Sequence, residues 1–275
     1  IVGLKMLALA KQAEDVAKDG KLGVYCWRGG MRSNRMAWLF EQLGLQCTVL
    51  EGGYKAYRNA ALDAFTDLQN LIVVAGQTGS GKTEILHSLR DAGEQILDLE
   101  GMAGHKGSAF GGIGMNPQPT TQQFQNNLHA ELLKLNLEKR IWIERESMTI
   151  GKVHLPQSLW NSMNRSVTVS IELPLEIRVN RLVKDYGKAS KKALEDSIRK
   201  LQQNLGGQMM KATLKLLEEG KLAQVAALLL TYYDKGYLFN RKKYVVKNPI
   251  PMSFYKDNAK ENAKELINMA DQESL

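Results

Sequence analysis

Cysteine and histidine are scarce, with two of the first and four of the second in 275 residues. Cys26 and Cys47 are too few and too far apart to frame a disulfide scaffold or a zinc site. His87, His129 and His154 show no ligand spacing and are assigned to packing or to the surface. No apolar run reaches the roughly eighteen residues of a membrane span, and no basic-plus-apolar leader opens the chain. A cytoplasmic address without a membrane partner is therefore expected. The opening residues, Ile1-Val2-Gly3-Leu4, read as the interior of something longer, so residues ahead of them are expected to be missing. Internal repeats and low-complexity tracts are absent as well.

What is present suits a globular protein: 44% apolar and 24% charged residues, with room for one large or two small domains. The net charge is +8 and unevenly placed. Between positions 178 and 215 there are ten Lys or Arg against three acids, and Arg241-Lys242-Lys243 and Lys247 form another cluster. Such an excess attracts polyanions at long range; the plainer alternative is a solvated helix face.

Apolar spacing predicts a helix over 4–18, a strand over 21–26, a helix over 33–43 and a strand over 47–50, then a turn at Glu51-Gly52-Gly53. A second alternating block starts near Leu71, with strands at 71–75, 95–99, 141–144 and 167–172 and helices at 82–91 and 121–138. From Pro174 to about Leu230 the pattern is helical, broken at Gly187, Gly206-Gly207 and Gly220, and a last helix covers 258–269. Alternating helix and strand favours parallel sheets covered on both faces. The boundary between the two blocks falls in 63–69.

Cys26 ends a strand and is followed by Trp27-Arg28-Gly29-Gly30-Met31-Arg32-Ser33. Gly29 and Gly30 let successive backbone N–H groups turn toward one point, an anion nest at the sulfur. Arg28, Arg32 and the start of the next helix add positive potential. Such surroundings lower a thiol's pKa and hold the nucleophilic thiolate. Cys47, inside Gln46-Cys47-Thr48-Val49-Leu50, reads instead as a buried, inert thiol.

A second loop, Gly76-Gln77-Thr78-Gly79-Ser80-Gly81-Lys82-Thr83, fits G-x-x-x-x-G-K-[ST] between a β-branched strand and a helix. Its glycines allow N–H groups to face phosphate oxygens, Lys82 reaches the terminal phosphates, and Thr83 can hold magnesium. The loop predicts a diphosphate without specifying which. Chemistry of this kind uses an acid from a neighbouring strand near the metal. The candidates are Asp98 and Glu100 after one strand and Glu144 and Glu146 after another, with Glu144 preferred. Glutamate departs from the usual aspartate, so no metal is assigned with certainty. Residues 98–111, rich in glycine, read as a mobile surface loop in which His105, Lys106 and Ser108 can enclose an anionic substrate.

The segment from Cys26 to Ser33, with Leu50-Glu51-Gly52-Gly53-Tyr54-Lys55-Ala56-Tyr57 downstream, resembles the active-site half of a rhodanese domain, whose front half is absent from this sequence. That resemblance implies a persulfide-forming Cys26. Four further features are the phosphate loop, Gln118-Pro119-Thr120, Glu144-Arg145-Glu146-Ser147 with Ile150-Gly151, and Glu172-Leu173-Pro174-Leu175-Glu176-Ile177-Arg178. With them, the whole chain resembles the tRNA 2-selenouridine synthase family. The expected fold is α/β. A partial rhodanese-like parallel sheet (1–64) precedes a P-loop NTPase-like parallel-sheet domain (65–275) with a mostly helical, basic C-terminal extension.

The resemblance implies that a geranyl group from geranyl diphosphate is placed on the sulfur of wobble 2-thiouridine. Selenium from selenophosphate then displaces the geranylthiol to leave 2-selenouridine. Cys26, with Arg28, Gly29, Gly30 and Arg32, would relay or stabilise selenium. No tightly bound cofactor is expected, and a selenophosphate-producing enzyme would supply the donor. The tRNA anticodon loop would meet Arg241, Lys242 and Lys243, where Tyr232-Tyr233-Asp234-Lys235-Gly236-Tyr237 interleaves aromatics with charge just upstream. A core-packing aromatic stripe with a wet basic face is the alternative there. Two competing functions stand beside this one: a small-molecule P-loop kinase fused to a sulfurtransferase, and a non-catalytic tRNA-binding module.

Overall fold

A computed structural model describes residues 2–243 and 249–275, without the side chains at 2, 4 and 238–243. The chain forms two compact units, Ile1–Ala64 and Phe65–Leu275. In the first, helix α1 (Val2–Val16) precedes strand β1 (Lys21–Val24), α2 (Met31–Glu41), β2 (Gln46–Val49) and α3 (Gly53–Asp63). β1 and β2 pair in parallel, Leu22 opposite Cys47. The strand expected to reach Cys26 stops at Val24, which leaves the thiol in the loop rather than in the ladder. α3 stands where only a turn was expected. Gly52, in the left-handed region at φ 68°, turns the chain into it, and two adjacent glycines mask such a helix start in sequence.

The second unit is an all-parallel five-stranded sheet. Its elements run β3 (Leu71–Gly76), α4 (Lys82–Asp91), β4 (Gln95–Leu97), α5 (Leu99–Ala103), α6 (Thr121–Leu132) and β5 (Ile141–Glu144). A short antiparallel hairpin, β6 (Thr149–Ile150) and β7 (Val153–His154), leads to α7 (Gln157–Arg165) and β8 (Val167–Glu172). Five helices follow: α8 (Leu175–Tyr186), α9 (Lys191–Lys200), α10 (Gln202–Leu205), α11 (Gly207–Glu218) and α12 (Leu222–Lys243). β9 (Ile250–Ser253) and α13 (Ala259–Gln272) return to the sheet, whose order is β4-β5-β3-β8-β9.

The hydrophobic run Leu71-Ile72-Val73-Val74 is central and buried on both faces, as parallel sheets require. Ile72 and Val74 pack with Ile85, Leu86 and Leu89 of α4, Trp142, and Leu266 of α13. A second core, with Leu194, Ile198, Leu217, Val225 and Leu229, holds the helical layer together.

Three expectations change. The strand at 95–99 ends at Leu97, because the Asp98 side chain accepts the Gly101 N–H at 2.7 Å and starts α5. The helix expected to reach 138 ends at Leu132; Gln95 exchanges hydrogen bonds with the Asn136 backbone N–H (2.6 Å) and carbonyl (2.9 Å), drawing that stretch into a turn. β9 carries Pro251, which obscured it in the sequence and which an edge strand tolerates.

Arg140 joins the edge of the sheet to α13. Its guanidinium grips Glu94 at 2.6 and 2.7 Å and reaches Asp271 at 2.6 Å, while Trp142 Nε1 donates to Glu94 at 2.8 Å. The Arg140 hydrogen bonds hold the Glu94 carboxyl below the usual carboxylate range. Its stabilisation is therefore complete above the unfolded value near pH 4.3 and is lost as pH falls through the lower folded value. Glu94→Ala should cost about 2–3 kcal/mol at neutral pH, slightly below a fully buried pair because Arg140 keeps Asp271. Urea titrations at pH 7 and pH 3 check this: the gap between parent and variant should narrow at the lower pH.

Candidate active site

Two loops gather the chemistry, one in each unit. In the first, Gly29 (φ 63°) and Gly53 (φ 64°) pack backbone against backbone. A Cβ on Gly29 would stand 2.6 Å from the Gly53 nitrogen, so neither position has room for a side chain. Tyr54 and Lys55 then donate their N–H groups to the carbonyls of Cys26 and Trp27 at 2.9 and 3.0 Å. The Gly-Gly-Tyr turn thus clamps the thiol loop from behind.

The sulfur is held by the donors in front of it. Ser33 Oγ lies 3.4 Å and the Gly30 N–H 3.3 Å from Cys26 Sγ. The Ser33 hydrogen bond and then the Gly30 N–H bring the thiol down from 9.0 to about 6, so the thiolate prevails at neutral pH. Hydrogen bonding leads this effect, and the exposed side chains of Arg28 and Arg32 do not head it. Ser33, buried at the start of α2, is the residue that sequence reasoning left without a role. Cys47 is half-buried and free, its thiol pushed up by burial and by Glu41.

In the second unit the glycine-rich loop joins β3 to α4. Gly79 and Gly81 take φ of 79° and 78°, which other residues rarely adopt, and Lys82 Nζ folds back to the Gly76 carbonyl at 3.2 Å. The Ser80 hydroxyl is buried without a hydrogen-bond partner among the described residues, a poised donor inside the loop. Behind the loop, the Arg178 guanidinium donates to both Asp234 oxygens at 2.8 Å and to the Thr78 carbonyl at 3.3 Å. Arg181 leans over Gly81 and pairs with Glu84 (2.7 Å) and Asp257.

The acidic candidates separate. Thr83 Oγ1 donates to Glu100 at 2.7 Å and lies 3.4 Å from Glu144. Glu144, the preferred one, is fully enclosed and accepts the Glu100 N–H at 2.7 Å; burial raises its pKa well above the ordinary value. Glu146, hydrogen-bonded to Glu100, is pushed up to about 8 by burial and then by the Glu100 charge. Asp98 is spent on capping α5 and on His87, 2.7 Å away.

Lys82, Thr83, Glu100 and Glu146 share a cavity of about 610 Å³ with Lys106, Ser108, Arg145 and Arg181. Two of the three expected substrate-loop residues therefore reach it. His105 instead packs against Gly111 and Gly112, with Nδ1 unpartnered, and burial lowers its pKa. Lys106 sits 3.8 Å from Asp185 and over the Tyr186 ring. Tyr232 and Tyr233, expected as an RNA-stacking surface, pack into the helical core, Tyr233 accepting the Ala109 N–H. The side chains of Arg241, Lys242 and Lys243 lie outside the described residues.

These features define an α/β protein in which a parallel sheet opens from its central strand into a glycine-rich loop, with a separate unit presenting a low-pKa thiol in the loop that follows a strand. A family model described as the tRNA 2-selenouridine synthase AAA domain matches residues 69–269. The tRNA 2-selenouridine synthase of Shewanella frigidimarina is 32% identical over 254 residues, 80% of this chain and 68% of that protein. The enzyme of the same name from Nitrosomonas europaea is 38% identical over 169 residues, covering 59% of this chain and 43% of its own length. One from Salmonella newport is 39% identical over 166 residues, 58% and 44%. The chain belongs to the tRNA 2-selenouridine synthase family. Its matches span between less than half and about two thirds of these relatives.

Ser33→Ala removes the leading donor to the thiolate. Iodoacetamide alkylation of Cys26, followed against pH in a Cys47→Ala background, should show a midpoint near pH 6 with Ser33 and a clearly higher one without it. Coincident midpoints would show that the hydroxyl does not hold the thiolate.

Proposed function

We propose that this chain carries out the chemistry for which its family is named, converting wobble 2-thiouridine of tRNA to 2-selenouridine in the cytoplasm through a geranylated intermediate. What carries the reading, in a chain of this family, is the pairing of a thiol brought to about 6 with a lysine-bearing anion cradle. In the first step the thiocarbonyl sulfur attacks the allylic carbon of geranyl diphosphate and the carbon–oxygen bond breaks. Lys82, the loop N–H groups and the Ser80 hydroxyl hold the departing diphosphate, offsetting charge that grows as it leaves. Alkylated sulfur is then a leaving group: the selenium of selenophosphate attacks C2, the carbon–sulfur bond breaks as geranylthiol departs, and water cleaves the selenium–phosphorus bond to release phosphate. Cys26, held as thiolate by Ser33 and Gly30, takes the proton of the incoming selenol and so frees the selenium to attack, a step that leaves sulfur and selenium at their original oxidation level.

Thr83 with Glu100 and Glu146 supplies hard oxygen donors, the chemistry that magnesium prefers. Among the described residues, no three His, Cys, Asp or Glu side chains are placed to hold a metal alone. The ligand's phosphate oxygens would complete such a site, and the ion would neutralise diphosphate charge. For tRNA, Arg178 and Arg181 are committed to ion pairs, so the exposed lysines of α9 and the 241–243 cluster are the phosphate-contacting candidates. A selenophosphate-producing enzyme is the implied donor source.

Nucleoside mass spectrometry of tRNA from cells lacking this gene and carrying variants tests the assignment. Cys26→Ala should abolish 2-selenouridine while geranylated 2-thiouridine accumulates; Lys82→Ala should lower geranyl transfer about 10²–10³-fold. Geranyl transfer at the parent rate in Lys82→Ala would assign the loop to another ligand, with ATP the first to try. Neutralising Arg241, Lys242 and Lys243 together should reduce the slope of log affinity against log salt by about 0.7–0.9 for each phosphate that the variant no longer neutralises. An unchanged slope would transfer the tRNA surface to α9.

A further inference from the structure

A second cavity opens directly off the first. Thr78, Ser108, Leu182, Tyr186 and Tyr233 line both. Beyond these shared residues its wall is apolar and comes from the helical layer, with Phe110, Leu194, Ile198, Val225, Ala226 and Leu229 facing in. The polar groups sit at the junction. Tyr233 accepts a hydrogen bond from the Ala109 N–H and Tyr186 is hydrogen-bonded to Ser108. Burial pushes both phenols up to about 12, so they stay neutral. An anion cradle with cations therefore meets, through a ring of neutral hydroxyls, a recess that offers a ligand nothing but hydrocarbon contact.

A nucleotide does not match this arrangement, since its ribose and base would leave polar groups unpaired in an apolar recess. A ligand with a diphosphate head and a branched hydrocarbon tail matches it in polarity; the recess measures about 60 Å³, so a tail of ten carbons enters by spreading the walls between the helices. We propose that the recess between α8, α9 and α12 binds the tail of the prenyl diphosphate and selects its length, while the glycine-rich loop holds the head. This rests on the function proposed above and adds to it the residues that recognise the donor. Leu182, Tyr186 and Tyr233 lie where the allylic carbon would emerge between head and tail. Ala226 is a small side chain in the wall, where a larger one would narrow the recess, and Leu229 borders it one turn further along α12.

Calorimetric titration of the full chain with inorganic diphosphate and with dimethylallyl, geranyl and farnesyl diphosphates tests the idea. Each buried methylene contributes about fourfold in affinity, so geranyl diphosphate should bind at least about thirtyfold more tightly than dimethylallyl diphosphate. Ala226→Phe should cost geranyl diphosphate about tenfold or more, leave inorganic diphosphate unchanged, and affect dimethylallyl diphosphate least. Leu229→Ala, which enlarges the recess, should shift preference toward farnesyl diphosphate and keeps the test alive if Ala226→Phe does not fold. A general folding defect would weaken inorganic diphosphate as well. If geranyl diphosphate is transferred yet binds no more tightly than inorganic diphosphate, the recess is not the tail site, and the proposed function stands without it. Length-dependent binding that responds to both variants, in a protein that transfers no prenyl group to 2-thiouridine, would uphold the recess and overturn the reaction.

Discussion

The bidentate pair between Arg178 and Asp234 ties the second unit's two layers together. Arg178 is 4% exposed, and its guanidinium meets both Asp234 oxygens at 2.8 Å while also donating to the Thr78 carbonyl. Three elements thus converge on one planar cation: the glycine-rich loop, α8 and α12. A bidentate guanidinium fixes direction as well as distance. Held this way, the loop cannot drift from the helical layer that supplies Tyr186 and Tyr233 to the cavity wall. A buried ion pair contributes little net stability but is costly to break, so its effect here is to set the geometry of the loop against α12.

The two loops treat negative charge differently. Around Cys26 the donors are short and local, a serine hydroxyl and a backbone N–H, and their effect is to keep one sulfur ionised. Around Lys82 the surroundings mix cations with several carboxylates, two of which, Glu144 and Glu146, are raised well above the ordinary range. Burial and neighbouring carboxylates favour the protonated forms of Glu144 and Glu146, and a cation bound beside them would favour the charged forms instead. The second site is thus tuned to take up a charged ligand, and the first to present a charged atom.

Much of the scaffold was legible in the sequence. Strands 141–144 and 167–172 and the helix at 82–91 stand where their periodicity placed them, because β-branched runs and a strand–loop–helix signature leave little freedom. The elements that escaped had local reasons: paired glycines at α3, a proline in β9, and a tertiary hydrogen bond from Gln95 that cuts α6 short. Within the candidate site, residues announced by glycine spacing were visible. Those placed by the helical layer were not. Leu194, Ile198 and Leu229 recur at helical spacing and read as ordinary core, and only packing reveals the recess between them. Arg178 looked like one more basic charge until its burial showed otherwise, and Tyr233 looked like a surface aromatic.

Sheet order carries a consequence for how the chain is assembled. β3 and β5 sit at the heart of the sheet, but β9 joins at the far edge of β8, and α13 closes the face over Ile72 and Val74. Both come from residues that leave the ribosome after all the rest of the unit. Until then β8 presents an unpaired edge and α4 lacks its α13 cover, and unpaired strand edges favour association. Pro251 and the brevity of β9 limit further strand addition once it docks. The second unit's sheet and its α4 face are thus completed by the segment furthest along the chain.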